Sequence, residues 1–289
     1  MTQTAPLSPI ILEPLVRMAL AEDLGRAGDI TSDSVIPIDA QAKVVMAARQ
    51  EGVIAGLDAA ELAFKLVDAT LSIKRLKAEG AVVKAGDEVM EVAGRARSIL
   101  TAERVALNFV GRMSGIATLT HKMVKAVGNH KARICSTRKT TPGLRAVEKY
   151  AVKVGGGMNH RLGLDDAILI KDNHIAIAGG VTVAIRNAKQ NAGHMIKIEV
   201  EVDTLAQLNE ALEEGVDVVM LDNMSLEDMT TAVKTVNGRV VVEASGGVTL
   251  ERIPKIAATG VDMISTGALT HSAPNFDVGL DFKAGGADC

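Results

Sequence analysis

The sequence predicts an α/β protein, most of it a closed or nearly closed barrel of parallel strands. From about residue 131 the chain settles into a beat of short apolar run, polar or glycine-rich end, then helical stretch. Strands alternating with helices at that spacing build βα units and a parallel sheet. No GxGxxG follows the first of these runs, which disfavours an open dinucleotide-binding sheet. At 289 residues and 47% hydrophobic, the chain can bury a sizeable core in one large domain or two smaller ones.

The opening stretch LSPIILEPLVRMALAEDLG reads as a helix with Ser8 at its N-cap, Pro9 in its first turn and Gly25 or Gly28 at its end. QAKVVMAARQEGVIAGL is strand-like, and DAAELAFKLV is a short helix capped by Asp58. In GAVVKAGDEVMEVAG, apolar pairs flank Lys84 to Asp87, which predicts a hairpin. Ser98 to Val127 is helical again, as two helices meeting near Gly111 to Gly115. Six strand runs follow: ARICSTRKT, AILIKDNH, IKIEVEV, DVVMLDN, RVVVEASGG and VDMISTG. Helices such as VTVAIRNAKQNAG, DTLAQLNEALEEG, SLEDMTTAVKTVN and TLERIPKIAATG lie between them, and FDVGLDF near the end reads as a strand returning to the first part of the chain.

Composition excludes several classes of partner. A formal net charge of -3 gives no global attraction to nucleic acid or to anionic membranes. With 2% aromatic residues and no Trp, there are few stacking platforms for single strands. Cys135 and Cys289 form neither a disulfide framework nor a zinc-type cluster. No apolar run approaches the roughly 20 residues of a bilayer span, and the N-terminus lacks a signal-peptide pattern. A reduced, cytoplasmic protein with no nucleic-acid or membrane partner is expected.

The strand ends carry the chemistry, because a β/α barrel places its site at the carboxyl ends of its strands. In IKIEVEV, alternation puts Ile196, Ile198, Val200 and Val202 on one face and turns Lys197, Glu199 and Glu201 toward the barrel interior. Other strands end in Lys171 to His174, in Asp222 and Asn223, in Glu243 and Ser245 to Gly247, and in Ser265 to Gly267. A purely structural account has Lys171 and Lys197 neutralising Glu199, Glu201 and Glu243; a ring of mixed polar types on every strand is hard to explain by packing alone. EASGGV and STGA are glycine turns between strand and helix, where backbone N–H groups and a helix start accommodate a phosphate. Opposite them stands a basic set: Arg138, Lys139, His160, Arg161, Lys171 and His174. So many cations in a net acidic chain point to a substrate with several negative charges. Glu201 and Asp222 would hold sugar hydroxyls or a Mg²⁺ bridging to a pyrophosphate.

The motifs LAEDLGRAGDITS, TAERVALNF, STRKTTPGLR, GGGMNHRLGLDDAILIKDNH, IEVEV, MLDNM and EASGGV, in this order along nearly the whole chain, resemble the quinolinate phosphoribosyltransferase family. Met158, in the glycine run, departs from the expected small or polar residue, a change expected to affect packing alone. The resemblance implies an N-terminal α/β sandwich domain over residues 1–115. It implies an incomplete α/β barrel of six to seven parallel strands over 116–270, and a tail, 271–289, that returns to the first domain. It implies condensation of quinolinate with phosphoribosyl pyrophosphate to nicotinate mononucleotide, pyrophosphate and CO₂, with Mg²⁺, in NAD biosynthesis.

Carried over by motif, Arg138, His160, Arg161 and Lys171 would bind the quinolinate carboxylates, with Thr137 beside them, and Lys139 would lie near the pyrophosphate. Glu201 and Asp222 would bind ribose hydroxyls and Mg²⁺, while Ser245, Gly246, Gly247 and Gly267 would hold the 5′-phosphate. Lys139, Lys171, Glu201 and Asp222 form the expected catalytic set. Arg104, which the residues alone mark as an ordinary exposed helix position, would enter the site of a neighbouring subunit in a homodimer or larger homo-oligomer.

Three rivals remain at this level, one of them a barrel that binds a sugar phosphate without catalysis. Nicotinate phosphoribosyltransferase would need only one carboxylate clamp, which fits the density of Arg138, Arg161 and Lys171 less well. GAVVKAGDEVMEVAG resembles the hairpin of biotinyl and lipoyl carriers, but Lys84 is not centred in such a tip.

Overall fold

The computed structural model describes residues 4–283. By contact the chain divides into two compact units, one running to His121 and including Thr141–Gly156 and the segment from Thr270, the other made of Lys122–Thr140 and Gly157–Leu269. The division departs from the sequence-based 1–115, 116–270 and 271–289 chiefly at residues 141–156, which join the first unit. The end of the expected tail, 284–289 with Cys289, lies outside the described residues.

The first unit opens with helix α1 (Pro9–Leu24), which buries Leu12, Val16 and Leu20 and stops at Gly25, with φ +53°. Helix α2 (Ile30–Val35) is capped by Asp29, whose carboxylate accepts from Ser32 N. Strands β1 (Gln41–Ala48) and β2 (Gly52–Val53) precede helix α3 (Leu57–Val67). Asp58 does not cap α3: Gly56 stands at the cap, the Glu79 carboxylate accepts from Gly56 N and Leu57 N, and Asp58 pairs with Arg75. Strands β3 (Ser72–Arg75), β4 (Val82–Val83) and β5 (Glu88–Arg95) follow. The turn expected at Lys84 to Asp87 is present, with Lys84 N donating to Asp87 Oδ2, but it is not a hairpin. Its flanking strands join different sheets, β4 pairing with β2 and β5 with β1 and β3.

Helix α4 (Ala96–Ala126) is one continuous helix of 31 residues, not two. Gly111 and Gly115 are places of close approach rather than breaks. Phe276 N donates to Gly111 O, and a Cβ on Gly115 would lie 2.0 Å from Pro274 O.

The second unit holds a six-stranded parallel sheet. Its strands are β6 (Arg133–Cys135), β7 (Ile168–Ile170), β8 (Ile198–Val202), β9 (Val218–Asp222), β10 (Val241–Ser245) and β11 (Met263–Ser265), in the order β6-β11-β10-β9-β8-β7. Each of the six predicted runs becomes a strand. Met158 extends the β6 edge by a parallel bridge to Cys135.

Between β6 and β7 the chain forms α5 (Arg145–Val154), which belongs to the first unit, and α6 (Asp172–Ala178) follows β7. The predicted helices appear as α7 (Val181–Asn191), α8 (Leu205–Glu214), α9 (Leu226–Val236) and α10 (Ile253–Ala258). Thr204 and Ser225 cap α8 and α9 through their hydroxyls, and Gly215 and Asn237 end them in left-handed conformations. After α11 (Ala268–His271), strand β12 (Val278–Phe282) pairs antiparallel with β1, completing the first unit's sheet β12-β1-β5-β3. The returning strand read from FDVGLDF is therefore present.

The strands of the parallel sheet are apolar along most of their length, as a sheet buried on both sides requires. Val200, Val202, Val219, Leu221, Val242, Ala244 and Ile264 are all buried. The exceptions are Glu199, Glu201 and Glu243, buried carboxyls on strands. Lys197 is not among the inward charges: it precedes β8 at the amino end of the sheet and pairs with Asp217.

Candidate active site

A cavity of about 570 Å³ opens at the carboxyl ends of the parallel strands, wholly within the second unit. Thr137, Arg138 and Lys139 reach it from the segment after β6, and His160 and Arg161 from the loop leading to β7. Lys171 follows β7, Glu201 lies on β8 and Asp222 ends β9. Glu243, Ser245, Gly246 and Gly247 come from β10 and its turn. Two expected residues are absent from the lining. Gly267 is buried just past β11, where Ser265 lines the cavity instead, and Arg104 is an exposed residue of α4 in the other unit. His174 is exposed in the first turn of α6, where its Nδ1 accepts from Lys171 N at 2.8 Å.

The cationic wall is built from like charges brought together. Burial and the neighbouring Arg138 hold the Arg161 guanidinium below its ordinary value. Arg161 is oriented by donating Nη1 to Ala167 O at 3.0 Å, and Arg138 Nε is buried without a hydrogen-bond partner. Two guanidiniums kept this close favour an anion that spans them. Lys171 is differently placed, because its Nζ donates to the Glu201 carboxylate. That ion pair partly bears out the neutralising role that packing alone would assign.

His160 is held by the protein at both ring nitrogens. Arg161 N donates to Nδ1 at 2.8 Å, so the ring proton sits on Nε2, which lies 2.8 Å from Glu199 Oε2. The imidazole therefore has no free donor to offer a substrate carboxylate, which departs from the role expected for it. Glu243 Oε1 lies 3.8 Å from the same Nε2. Burial and then the Glu199 charge push the Glu243 carboxyl up to about 7, against the opposing effect of Ser265. The interior direction of Glu199 was legible from alternation and Glu243 from its place near a strand end; their convergence on His160 was not.

The Ser245–Gly247 turn is shaped by glycine. Gly246 and Gly247 have φ of +85° and +55°, and a Cβ on Gly246 would lie 2.2 Å from Asn223 Oδ1. Asn223, itself left-handed at φ 53°, donates its N–H to Ser245 O and its side-chain amide to Asp222 Oδ2. It is a positioning residue that sequence reasoning left without a role; the available signal was an Asn directly after a strand, since Asn tolerates this conformation. Helix α10 does not begin at the turn, as had been expected, but several residues on, at Ile253. Any anion binding there falls to the backbone amides of the turn.

Fold and site together define a class: an α/β-barrel enzyme whose substrates are anionic and phosphate-bearing. Comparison with known proteins narrows it. Family models described as quinolinate phosphoribosyl transferase, N-terminal domain and C-terminal domain match residues 29–114 and 116–281. The chain is 45% identical over 274 residues to a probable nicotinate-nucleotide pyrophosphorylase (carboxylating) of Synechocystis, covering 94% of this chain and 92% of that protein. It is 44% identical to quinolinate phosphoribosyltransferase (decarboxylating) 1b of Nicotiana tabacum, covering 93% and 81%. The solved nicotinate-nucleotide pyrophosphorylase of Francisella tularensis superposes with a TM-score of 0.92 at 41% identity, over 98% of this chain and all of that one. The chain belongs to the quinolinate phosphoribosyl transferase family.

Proposed function

We propose that this chain transfers the phosphoribosyl group of phosphoribosyl pyrophosphate to quinolinate, with loss of CO₂. The products are nicotinate mononucleotide and pyrophosphate, and the reaction is a cytoplasmic step of NAD biosynthesis. The observation that carries the reading is the meeting of Arg138, Arg161 and Lys171 in one cavity with the Ser245–Gly247 turn. A pyridine diacid needs the first group and a ribose 5′-phosphate suits the second. Arg138, Arg161 and Lys171 take the carboxylates, with Thr137 at the edge of the pocket. Lys139, exposed beside them, faces the pyrophosphate.

Departure of pyrophosphate leaves positive charge on the ribose, which the fixed carboxylates Glu201 and Asp222 stabilise while holding its hydroxyls. The attacking pyridine nitrogen has no proton to lose, so no base is required. The N-alkylated ring is then an electron sink for loss of the 2-carboxylate.

The donor set fits Mg²⁺ in part. Asp222 is half-buried and its carboxylate accepts from the Asn223 amide, whereas Glu201 is engaged by Lys171. Asp222, with Glu201 when Lys171 turns to substrate, would hold the ion alongside substrate oxygens. When bound, Mg²⁺ supplies charge neutralisation of the leaving pyrophosphate. We further propose a homodimer or larger assembly in which Arg104, exposed on α4, completes a neighbouring subunit's site.

Turnover with quinolinate against nicotinate, following CO₂ and pyrophosphate, tests the reaction. Preference for nicotinate without CO₂ release would replace the substrate. Mixing inactive Arg104→Ala and Lys139→Ala chains tests the shared site, where partial recovery of activity is expected and no recovery would refute the sharing.

A further inference from the structure

The reaction proposed above leaves one proton unassigned. When CO₂ departs, the electron pair of the broken bond stays on C2 of the ring, and the product carries hydrogen there. The Glu199, Glu243 and His160 cluster is not called on by the ribosyl transfer proposed above. Its potential ligand atoms lie within 4.8 Å of one another. Glu243 is 3% exposed, yet it lines the cavity, and its Oε1 has no hydrogen-bond partner.

Resting on that reaction, we propose that Glu243 is the acid that protonates C2. The C2–carboxylate bond breaks and CO₂ leaves. The pair on C2 takes the proton of the Glu243 carboxyl, giving C2–H and a Glu243 carboxylate, which regains a proton from water entering the cavity before the next turnover.

The surroundings keep the acid loaded. Two carboxyls this close in a buried site do not both ionise. Glu199, from β8, already accepts the Nε2 proton of His160, so the remaining proton falls to Glu243. Neighbouring β9 presents Met220 opposite Glu243, and β11 presents Ser265, the hydroxyl that opposes the shift. The nearest ring, His160, is 3.8 Å away and cannot donate a second proton because its Nδ1 accepts from Arg161 N. The same tautomer argues against a metal here, since Nε2 has no lone pair to offer one.

Single turnovers of Glu243→Gln with quinolinate, phosphoribosyl pyrophosphate and Mg²⁺ test the assignment, with pyrophosphate and nicotinate mononucleotide followed separately. Pyrophosphate release is expected to stay within about threefold of wild type. Product formation is expected to fall by about 100-fold or more, the scale of a lost general acid. Product formation by wild type should decline as pH rises through the Glu243 titration, and the variant should lack that limb. Glu243→Asp, which keeps an acid, should recover part of the rate, and a melt no lower than wild type shows that Glu243→Gln folds.

Wild-type product formation in Glu243→Gln, a parallel fall of both products, or an alkaline limb that persists would each overturn the proposal. So would tight Mn²⁺ binding by the substrate-free wild type that Glu243→Gln abolishes. If wild type releases no pyrophosphate from these substrates, the reaction itself fails, and this assignment with it; that outcome is distinct from a defect confined to the variant.

Discussion

Lys171, directly after β7, holds the carboxylate of Glu201 on the adjacent strand β8. The two ends differ in exposure, at 45% for the lysine side chain and 9% for the glutamate. Removing the lysine strands a nearly buried carboxylate, whereas neutralising the glutamate leaves a lysine that reaches water. Lys171→Ala is therefore expected to lower stability by about 1 kcal/mol, the part that survives solvent screening. Adding Glu201→Gln should restore most of it, while each variant loses about 100-fold in turnover. Thermal melts run beside initial rates separate the two effects, and a double variant that stays destabilised would count against the pair.

Gly246 and Gly247 both sit at positive φ, but only one is crowded by a fixed neighbour. A Cβ on Gly246 meets Asn223 Oδ1 at 2.2 Å and Asn223 N at 2.9 Å, whereas on Gly247 it meets only the end of the Arg252 side chain. Gly246→Ala should raise KM for phosphoribosyl pyrophosphate by at least about tenfold and lower stability by about 2 kcal/mol, combining strain with overpacking. Gly247→Ala should show the smaller loss of both. Equal effects would mean that conformation alone, and not contact with Asn223, limits the turn.

In the first unit, Gly115 admits the backbone at Pro274, with Pro274 O 2.0 Å from a built Cβ. Neither side is a flexible side chain, so Gly115→Ala should destabilise by about 3 kcal/mol. Gly128→Ala, where nothing lies within 4 Å, should lose only the conformational strain of its φ of +64°. Chemical denaturation of the two variants measures the difference.

The Glu243 carboxyl, raised to about 7 in the folded chain, has a definite sign for stability. The folded state binds this proton more tightly than the unfolded one. The contribution is present below the ordinary carboxyl value and is lost as pH rises toward about 7. Glu243→Gln carries no such proton, so its melting temperature relative to wild type should be higher at pH 8 than at pH 5. A difference that does not change with pH would show Glu243 ionised throughout.

Much of the site was legible because strand ends are loaded with polar residues. Arg138, Lys139, Arg161, Lys171, Glu201, Asp222 and the Ser245–Gly247 turn do line one cavity. Less was legible where one residue type serves two purposes. Gly111 and Gly115 read as a break but permit close approach, and the turn at Lys84 to Asp87 separates strands of different sheets. His160 reads as a substrate ligand but is committed to Glu199.

Periodicity and strand-end composition, properties of neighbouring residues, were enough to specify the six parallel strands, most of their helices and the cationic rim. What folding added was pairing across distance: α5 in the first unit, Lys197 bound to Asp217 away from the rim, and Glu243 set against Glu199. Hydrogen bonds, burial and charge act between groups brought together from remote parts of the chain. A side chain's proton and its partner therefore depend on neighbours that local sequence does not name.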